Sequence, residues 1–405
     1  MLSATVRVTR DIDLAEECVQ DAYVSALAAW ARAGVPANPA AWLTTTARRK
    51  ALDALRRDKT LRAKLPLLIE PEPAGPDAAG PGGAGPASGE DHIPDDRLRL
   101  VFTCCHPALG REAQVALALR LICGLTTAEI AAAFLVPEPT MAARVTRAKK
   151  KIAAARIAYR VPEPAELPER LDAVLTVIHL VFTTGHAAPG GDSLVRAELV
   201  DQAIALARMV AGLMPDEREV TGLLALLILT DARRATRTDA SGRLLLMAEQ
   251  DRSRWDHAAI AEGARLAAQA RRGPRPGRFA AQAAIAAVHA TAPDYAQTDW
   301  RLLVARYDDL LRAWPSPVVE LNRAVAVAMV AGPQAGLAEI ARIEADGRLA
   351  GYRYLHAAKA DLLRRAGRPE EALASYQAAL NLTQNEAERA FLLAALAGPG
   401  SDAAN

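Results

Sequence analysis

The chain has 405 residues, more than one ordinary domain needs, so two or three domains are expected. Apolar residues make up 51% of it but aromatic residues only 4%, and this mixture, dominated by Ala, Leu and Val, favours an all-α fold. A net charge of +2 excludes a uniformly basic surface, so a nucleic-acid partner must be bound by local basic patches.

Residues 11–30 predict an amphipathic helix with an acidic face. Leu14, Cys18, Ala22 and Leu27 recur at roughly helical spacing and form its expected apolar face. Acidic side chains fill much of the remaining surface.

Residues 40–59 predict a second helix, which is basic. Trp42, Arg49 and Arg56 share one stripe of it with Thr45 and Asp53. An aromatic ring can stack on an unpaired base while Arg binds the phosphates of a separating strand. An equally good interpretation of Trp42 is that it anchors the core, whereas nucleic-acid contact is favoured for the two arginines.

Residues 66–96 differ sharply in composition from the helices on either side. The segment is rich in Pro, Gly and acidic residues and contains no Lys or Arg. Such a sequence buries too little apolar surface to offset the entropy lost on ordering. It is predicted to be a flexible acidic linker.

The stretch LVFTCCHPALG, residues 100–110, has two readings. Cys104, Cys105 and His106 are residue types that bind metals, which suggests a metal-dependent enzyme. Adjacent side chains on a helix point about 100° apart and rarely share one ion, however, and Pro107 ends the helix instead of shaping a metal loop. The favoured prediction is that both cysteines pack as small apolar residues and that there is no metal site.

Residues 124–156 carry the pattern of a helix-turn-helix. Thr126 and Glu129 have the spacing of a capping box that starts its first helix. The expected inward face of the second helix comprises Met141, Val145, Ala148 and Ile152. The opposite face carries Thr140, Arg144, Arg147 and Lys151. A solvated surface would explain the basic helix alone, but helix, turn and stripe together predict DNA binding, with phosphates neutralised by Arg and Lys.

Beyond residue 160 the pattern is helix after helix, and it repeats. AGPQAGLAEI at 331 and AGRPEEALAS at 366 align without gaps, 35 residues apart, close to the period of tetratricopeptide units. Gly367, Ala372, Tyr376 and Ala379 match the second half of such a unit, whereas Gln384 departs from it. A helical-repeat array is therefore predicted.

A charged run in this array has two open interpretations, an ion-pair network or partner surface, which is favoured, and an effector site. Its members are Asp231, Arg233, Arg234, Arg237, Asp239, Asp251, Arg252, Arg254 and Asp256. The single histidines His179, His186, His257, His289 and His356 are expected to be packing or surface residues. No phosphate loop, dinucleotide fingerprint or hydrolase motif occurs, so we expect neither an enzyme nor a cofactor.

The three N-terminal blocks together resemble an extracytoplasmic-function (group IV) sigma factor of the sigma-70 family. DLAEECVQDAYVSALAAW is similar to the region 2.2 helix, NPAAWLTTTARRKALDALRR to regions 2.3 and 2.4, and LTTAEIAAAFLVPEPTMAARVTRAKKKI to region 4.2. The later segments LMPDEREVTGLLALLILTDARRATR and LLLMAEQDRSRWD resemble the long-tailed subfamily ECF42, whose extension is tetratricopeptide-like. The resemblance covers essentially the whole chain.

This resemblance implies three sets of functional residues. Those expected to read the promoter −35 element are Glu138, Thr140, Arg144, Arg147, Lys149, Lys150 and Lys151. Those expected at the melted −10 element are Trp42, Thr45, Arg48, Arg49, Arg56 and Arg57. Those expected to bind RNA polymerase are Asp11, Asp13, Leu14, Glu17, Gln20 and Asp21.

The implied function is promoter-specific initiation of transcription, with core RNA polymerase contacted at the clamp of its largest subunit and at its flap. The implied domains are sigma region 2 at 1–65, the linker at 66–96, sigma region 4 at 97–160 and the tetratricopeptide-like domain at 161–405. The last is expected to regulate activity in cis, and a protein or small molecule is its hypothetical partner.

Two features depart from the family pattern. Family members usually carry about one more helix of sequence before region 2.2, so region 2 is expected to be short here. Arg49 stands where the family usually has Asn, which leaves the −10 preference open. The alternative function is a helix-turn-helix regulator with a helical sensor domain that acts without binding polymerase.

The expected location is the cytoplasm. The four cysteines form no CxxC pair and no secretory segment is evident, which favours a reducing compartment. The longest apolar runs fall far short of a membrane span.

Overall fold

A computed structural model describes residues 1–64, 96–134, 136–160, 162–163, 166–186, 196–239, 244–273, 275–383 and 386–397. These residues are helical apart from turns, irregular segments and one antiparallel bridge between Thr238 and Leu244, so the prediction of an all-α fold is confirmed. Apart from Asp96, the predicted acidic linker lies outside the described residues, as does Gln384. Within them, no helix is both long and apolar enough to cross a membrane.

The chain divides into two compact units, Met1–Val177 and Ile178–Asn405. The helices of unit 1 are α1 (Leu2–Thr9), α2 (Ile12–Ala33), α3 (Pro39–Lys64), α4 (Asp96–Cys104), α5 (Arg111–Leu121), α6 (Thr127–Ala133) and α7 (Glu138–Ala154). The boundary falls inside α8 (Leu167–His186). The helices of unit 2 are α9 (Ala197–Leu213), α10 (Arg218–Asp231), α11 (His257–Ala270), α12 (Arg278–Thr291), α13 (Trp300–Ala313), α14 (Pro317–Ala331), α15 (Pro333–Asp346), α16 (Arg353–Arg365), α17 (Pro369–Asn381) and α18 (Glu386–Ala397).

The acidic helix α2 begins at an Asx cap and buries a stripe of small residues. The Asp11 carboxylate accepts a hydrogen bond from the Leu14 amide at 3.0 Å. The buried stripe consists of Ala15, Cys18, Ala22 and Ala26. The prediction that Leu27 joins this face is wrong, since its side chain is 76% exposed. The step from Ala22 to Leu27 spans five residues and turns the side chain by about 140°, whereas four-residue steps stay on one face.

The two cysteines of α4 lie inside unit 1. Cys104 and Cys105 are buried free thiols, as the packing interpretation predicts. Burial raises the pKa of Cys104 to about 12, so it remains a protonated thiol. The His106 ring accepts a hydrogen bond from the Ala108 amide at 3.1 Å, which stabilises the turn after the helix. The side chains therefore serve packing and turn formation.

Contacts within unit 1 connect its N-terminal helices with α4 and the segment after α7. The Tyr159 hydroxyl lies 2.6 Å from the Asp96 carbonyl oxygen and 2.9 Å from the Ser3 carbonyl oxygen. The Arg7 guanidinium lies 3.5 Å from the Asp96 carboxylate. Burial and the Asp96 charge raise the pKa of Tyr159. The predicted regions 2 and 4 are thus in contact in this structure.

Helices in unit 2 approach one another through small residues. A Cβ placed on Gly222 of α10 would lie 2.5 Å from the Ala280 backbone nitrogen of α12. Gly332 and Gly367 occupy equivalent turns of the predicted repeat, before α15 and α17, and both have positive φ, 89° and 73°. Ala372, Tyr376 and Ala379, which the repeat pattern selected, are buried. The core here depends on close helix crossings.

Candidate nucleic-acid interface

The helix-turn-helix forms through the predicted local signals. The Glu129 carboxylate accepts the Thr126 amide at 2.6 Å, and the Thr126 hydroxyl accepts the Glu129 amide at 3.2 Å, a reciprocal capping box. The chain then turns before Glu138, with Pro137 preceding α7. The capping box therefore fixes the start of α6, and the turn sets the start of α7.

Helix α7 packs an apolar face against the rest of unit 1 and exposes a polar face to solvent. Its buried residues are Met141, Val145, Ala148 and Ile152, as the spacing predicts. Its exposed predicted −35 residues are Glu138, Thr140, Arg147, Lys150 and Lys151. With α6 packed behind it, this outward face has the arrangement of a helix that enters the DNA major groove.

Arg144 differs from these exposed side chains because its own unit holds it. Its guanidinium lies 2.9 Å from the Glu112 carboxylate of α5 and sits over the Phe134 ring, 5.8 Å from the ring centre. The two contacts fix the direction of this long side chain within the protein itself. Arg144 is therefore positioned by packing and by charge at once.

Lys149 points away from the polar face and pairs with α2. Its ammonium lies 3.0 Å from the Asp13 carboxylate and also contacts Glu16. Burial lowers the pKa of Lys149, but the hydrogen bonds and charges of Glu16 and Asp13 outweigh it and raise the pKa above its ordinary value. A predicted −35 residue and a predicted polymerase-binding residue are thus partners within the unit.

Helix α3 carries arginines along its described part. Arg49, Arg56 and Arg57 are exposed, and Arg48 is half-buried. Arg56 has Asp53 as a neighbour on the same helix, at 3.7 Å. Thr45 is exposed on the same stripe as Arg49. The exposed arginines place positive charge on the surface of this helix.

Trp42 is half-buried and packs edge-on against Trp30 of α2, with ring centres 5.6 Å apart. The position supports both interpretations of Trp42, because one edge contacts another helix while part of the ring faces solvent. Trp30 lies four residues after Ala26 and so continues the buried stripe of α2 to the end of the helix. The contact holds the start of α3 against the end of α2.

The predicted polymerase-binding residues of α2 fall into two groups. Glu17, Gln20 and Asp21 are exposed, with Asp21 3.7 Å from Lys50 of α3. Asp11 caps the helix and Leu14 is half-buried, so both have structural roles as well.

An exposed apolar patch follows on the same helix and was not predicted from the sequence. Its members are Tyr23, Val24 and Leu27 of α2. The signal that could have revealed it is the four-residue step of the buried alanines, which excludes Leu27 from the core. Exposed apolar clusters of this kind mark protein contact surfaces.

The described residues contain no group of three or more His, Cys, Asp or Glu side chains placed to hold a metal ion.

Comparison with known families matches three segments of the chain. Residues 2–60 are similar to Sigma-70 region 2, residues 99–152 to Sigma-70 region 4, and residues 170–271 to a family of unknown function, DUF6596. The chain is 42% identical over 391 residues to the uncharacterised protein R00370 of Rhizobium meliloti (strain 1021), covering 96% of this chain and 91% of that protein. No solved structure matches the chain significantly.

Proposed function

Since the chain belongs to the sigma-70 family of RNA polymerase sigma factors, we propose that it recognises promoters through α3 and α7 while α2 binds core RNA polymerase. The observation that carries this proposal is that one compact unit combines a helix-turn-helix with an exposed basic face and a second basic helix packed beside an acidic one. A plain DNA-binding regulator has no need of the last two helices. Sigma factors direct initiation without catalysing a reaction, so the proposal needs no catalytic residue.

For the −35 element, the outward face of α7 supplies the contacts. Thr140 and Arg144 lie in its first half, where side chains can reach base edges, and Arg147, Lys150 and Lys151 follow where phosphates would pass. Arg144 is already oriented by Glu112, so less conformational freedom is lost on binding. Lys149 can contribute only by leaving Asp13 and Glu16.

For the −10 element, α3 supplies Trp42, Thr45 and the arginines at 48, 49, 56 and 57. The half-exposed Trp42 ring offers a stacking surface for an unpaired base. The exposed arginines would follow the phosphates of the separated strand.

For polymerase binding, we add the apolar patch to the predicted acidic residues. Tyr23, Val24 and Leu27 continue along α2 from Glu17, Gln20 and Asp21, so charged and apolar side chains form one elongated surface. An interface of this kind combines a desolvated apolar centre with a polar rim.

The finer assignments are part of the same proposal. The protein would be of the extracytoplasmic-function type, with region 2 at 1–65, the linker at 66–96, region 4 at 97–160 and a tetratricopeptide-like domain at 161–405. Paired helices joined at Gly332 and Gly367 support the repeat. The C-terminal domain would regulate activity in cis.

The test is a transcription assay with core polymerase and a template carrying −35 and −10 elements. The full chain should co-elute with core polymerase and yield transcripts that start at one position. Leu27→Asp should weaken co-elution about tenfold or more, because it places a charge in the apolar centre of the interface. Leu393→Asp, at an exposed apolar residue of α18, is the matched control and should not.

Three outcomes would count against parts of the proposal. Specific DNA binding without co-elution would favour the alternative, a regulator that acts without polymerase. Absence of both would remove the sigma-factor function. Equal transcription by the full chain and by a chain shortened at Arg160 would contradict regulation in cis.

A further inference from the structure

Unit 2 contains a cavity of about 1000 Å³ that the proposed function does not use. Helices α14, α16, α17 and α18 form most of its wall, and residues of the segment 244–248 form one side. The volume is at the upper end of the range for small-molecule sites. The cavity is therefore large enough for a ligand of drug or metabolite size.

The lining of this cavity is mainly apolar and aromatic. Its aromatic residues are Tyr295, Tyr352, Tyr354, Tyr376 and Phe391. Two members of the lining, Leu246 and Tyr354, are 48% and 41% exposed, so part of this surface is open to solvent. A ligand that covers such surface gains the free energy of burying it, and aromatic rings can also stack on the tyrosines. The lining thus favours a ligand with an aromatic body.

The charged side chains of the lining neutralise one another. Among the described residues they are Arg353, Asp361, Arg364 and Glu388, two of each sign. The Arg353 guanidinium lies 2.8 Å from the Glu388 carboxylate, and the Arg364 guanidinium lies 2.6 Å from the Asp361 carboxylate. A charged ligand would therefore lose hydration on entering without meeting a surplus of the opposite charge. This balance favours an uncharged ligand.

The lining also offers polar groups that can orient a ligand. The Asn322 amide and the hydroxyls of Tyr295 and Tyr352 make no hydrogen bond to another described residue. Asn322 is exposed, and the two tyrosines are half-buried. Amide and phenol groups each both donate and accept hydrogen bonds. They can therefore bind a carbonyl, hydroxyl or amine of an uncharged molecule.

The charged run at 231–256 is separate from this cavity. None of its described charged residues belongs to the lining. Asp231 pairs with Arg234 at 2.6 Å, and Arg234 also binds Asp201. Asp251 and Asp256 cap the short helix at 252–254 and α11. These contacts support the ion-pair interpretation of the run for Arg234, and the cavity must be judged by its own lining.

We infer that this cavity binds an uncharged small molecule with an aromatic body and at least one hydrogen-bonding group. The rings lie among the tyrosines, and the polar group lies near Asn322. This inference depends on unit 2 alone and stands whether or not the chain binds polymerase. It supplies the C-terminal unit with a chemical signal to sense.

The test uses two fluorescent probes with the same rings on the full chain. Phenylnaphthylamine is uncharged, and anilinonaphthalene sulfonate carries an added negative charge. We expect the uncharged probe to bind at one site per chain and at least about tenfold more tightly, because the sulfonate finds no surplus positive charge in the lining. Equal or tighter binding of the anionic probe would overturn the assignment of an uncharged ligand.

A first pair of variants locates the bound probe. Ala394 belongs to the lining and is exposed on α18, whereas Ala374 is exposed on α17 outside the lining. Ala394→Trp should weaken binding of the uncharged probe about tenfold, because the added ring takes up space in the cavity, and Ala374→Trp should not. Equal binding to the two variants would overturn the inference, because the dye would then occupy another apolar surface.

A second pair of variants tests the charge balance through a gain of binding. Asn322→Lys adds one positive charge to the lining and should tighten binding of the anionic probe about threefold or more, without tightening binding of the uncharged probe. Ala374→Lys adds the same charge outside the lining and should change neither affinity. An unfolded variant cannot imitate this gain. Equal affinities of the anionic probe for the two lysine variants would contradict charge selection by the lining.

Discussion

The two units of this protein place positive charge in opposite ways. In unit 1 the cations of α3 and α7 lie at the surface or face carboxylates, as Arg144 faces Glu112 and Lys149 faces Asp13. In unit 2, Arg237 is buried and Arg252 half-buried, and their guanidiniums donate to the carbonyl oxygens of His186, His289 and Ala292. Surface cations are available to a large polyanion, whereas cations withdrawn from the surface are not.

The largest predicted effect is a loss of stability of unit 2 at acid pH, which is caused by its histidines. Burial, followed by the charges of Arg233 and Arg252, lowers the pKa of His289 to about 4 from its ordinary 6.5. Unfolded histidine takes up a proton below pH 6.5, but the buried ring stays neutral until about pH 4. Stability present above pH 6.5 is therefore lost as the pH falls toward 4, by about 3 kcal/mol for this residue.

Urea unfolding of unit 2 at pH 7 and pH 4, followed by tryptophan fluorescence, measures this loss. His289→Gln should flatten the pH dependence, because the substituted side chain does not titrate. His257→Gln, at an exposed histidine of α11, is the control and should keep the slope of the parent chain. An unchanged slope in His289→Gln would show that this ring does not cause the acid sensitivity.

Close helix packing in unit 2 gives a second, somewhat smaller effect. Gly222→Ala puts a methyl group 2.5 Å from the Ala280 backbone nitrogen, so α10 and α12 must separate. We expect a loss of about 1–3 kcal/mol in the unfolding free energy, measured by urea titration. Gly212→Ala in α9 meets no atom within 4 Å and should be neutral or stabilising, by up to about 1 kcal/mol.

If Gly222→Ala left the stability unchanged, the approach of the two helices would be looser than the structure shows. If Gly212→Ala lowered the unfolding free energy as much as Gly222→Ala, the loss of a glycine would itself be the cause, and not the close crossing of α10 and α12.

The smallest effect concerns two neighbouring lysines of unit 1. Lys150→Ala should lower the salt dependence of promoter binding, the slope of log K against log salt concentration, by about 0.9, the value for one lost phosphate contact. Lys149→Ala should lower this slope by less than half as much as Lys150→Ala, because Asp13 and Glu16 already bind the Lys149 ammonium. Fluorescence anisotropy of a labelled −35 duplex at several salt concentrations measures both slopes.

Equal slopes for the two variants would mean that Lys149 exchanges its carboxylate partners for DNA. The double variant Asp13→Asn, Glu16→Gln then becomes informative, because it would strengthen DNA binding only if the ion pairs compete with phosphate.

Local sequence signals predicted much of unit 1. The capping box of Thr126 and Glu129 and the buried face of Met141 to Ile152 depend only on residues one or two turns apart, so helix geometry fixes them wherever the helix lies. The burial of Cys104 and Cys105 followed from the same periodicity. Leu27 was misplaced because apolar character was weighed above the four-residue step of the small residues around it.

The sequence by itself therefore determined the helices, their apolar faces and the family to which the chain belongs, since each follows from short-range spacing and residue type. Only the tertiary structure decided which charged side chains remain available to a binding partner. Lys149 binds carboxylates that lie 136 and 133 residues away in the sequence. In unit 2, a cavity of about 1000 Å³ is lined both by residues of the segment 244–248 and by helices that begin some 70 to 140 residues later. Pairings at that distance depend on how the whole chain packs, because the strength of a charge contact is set by distance and burial and not by position in the sequence.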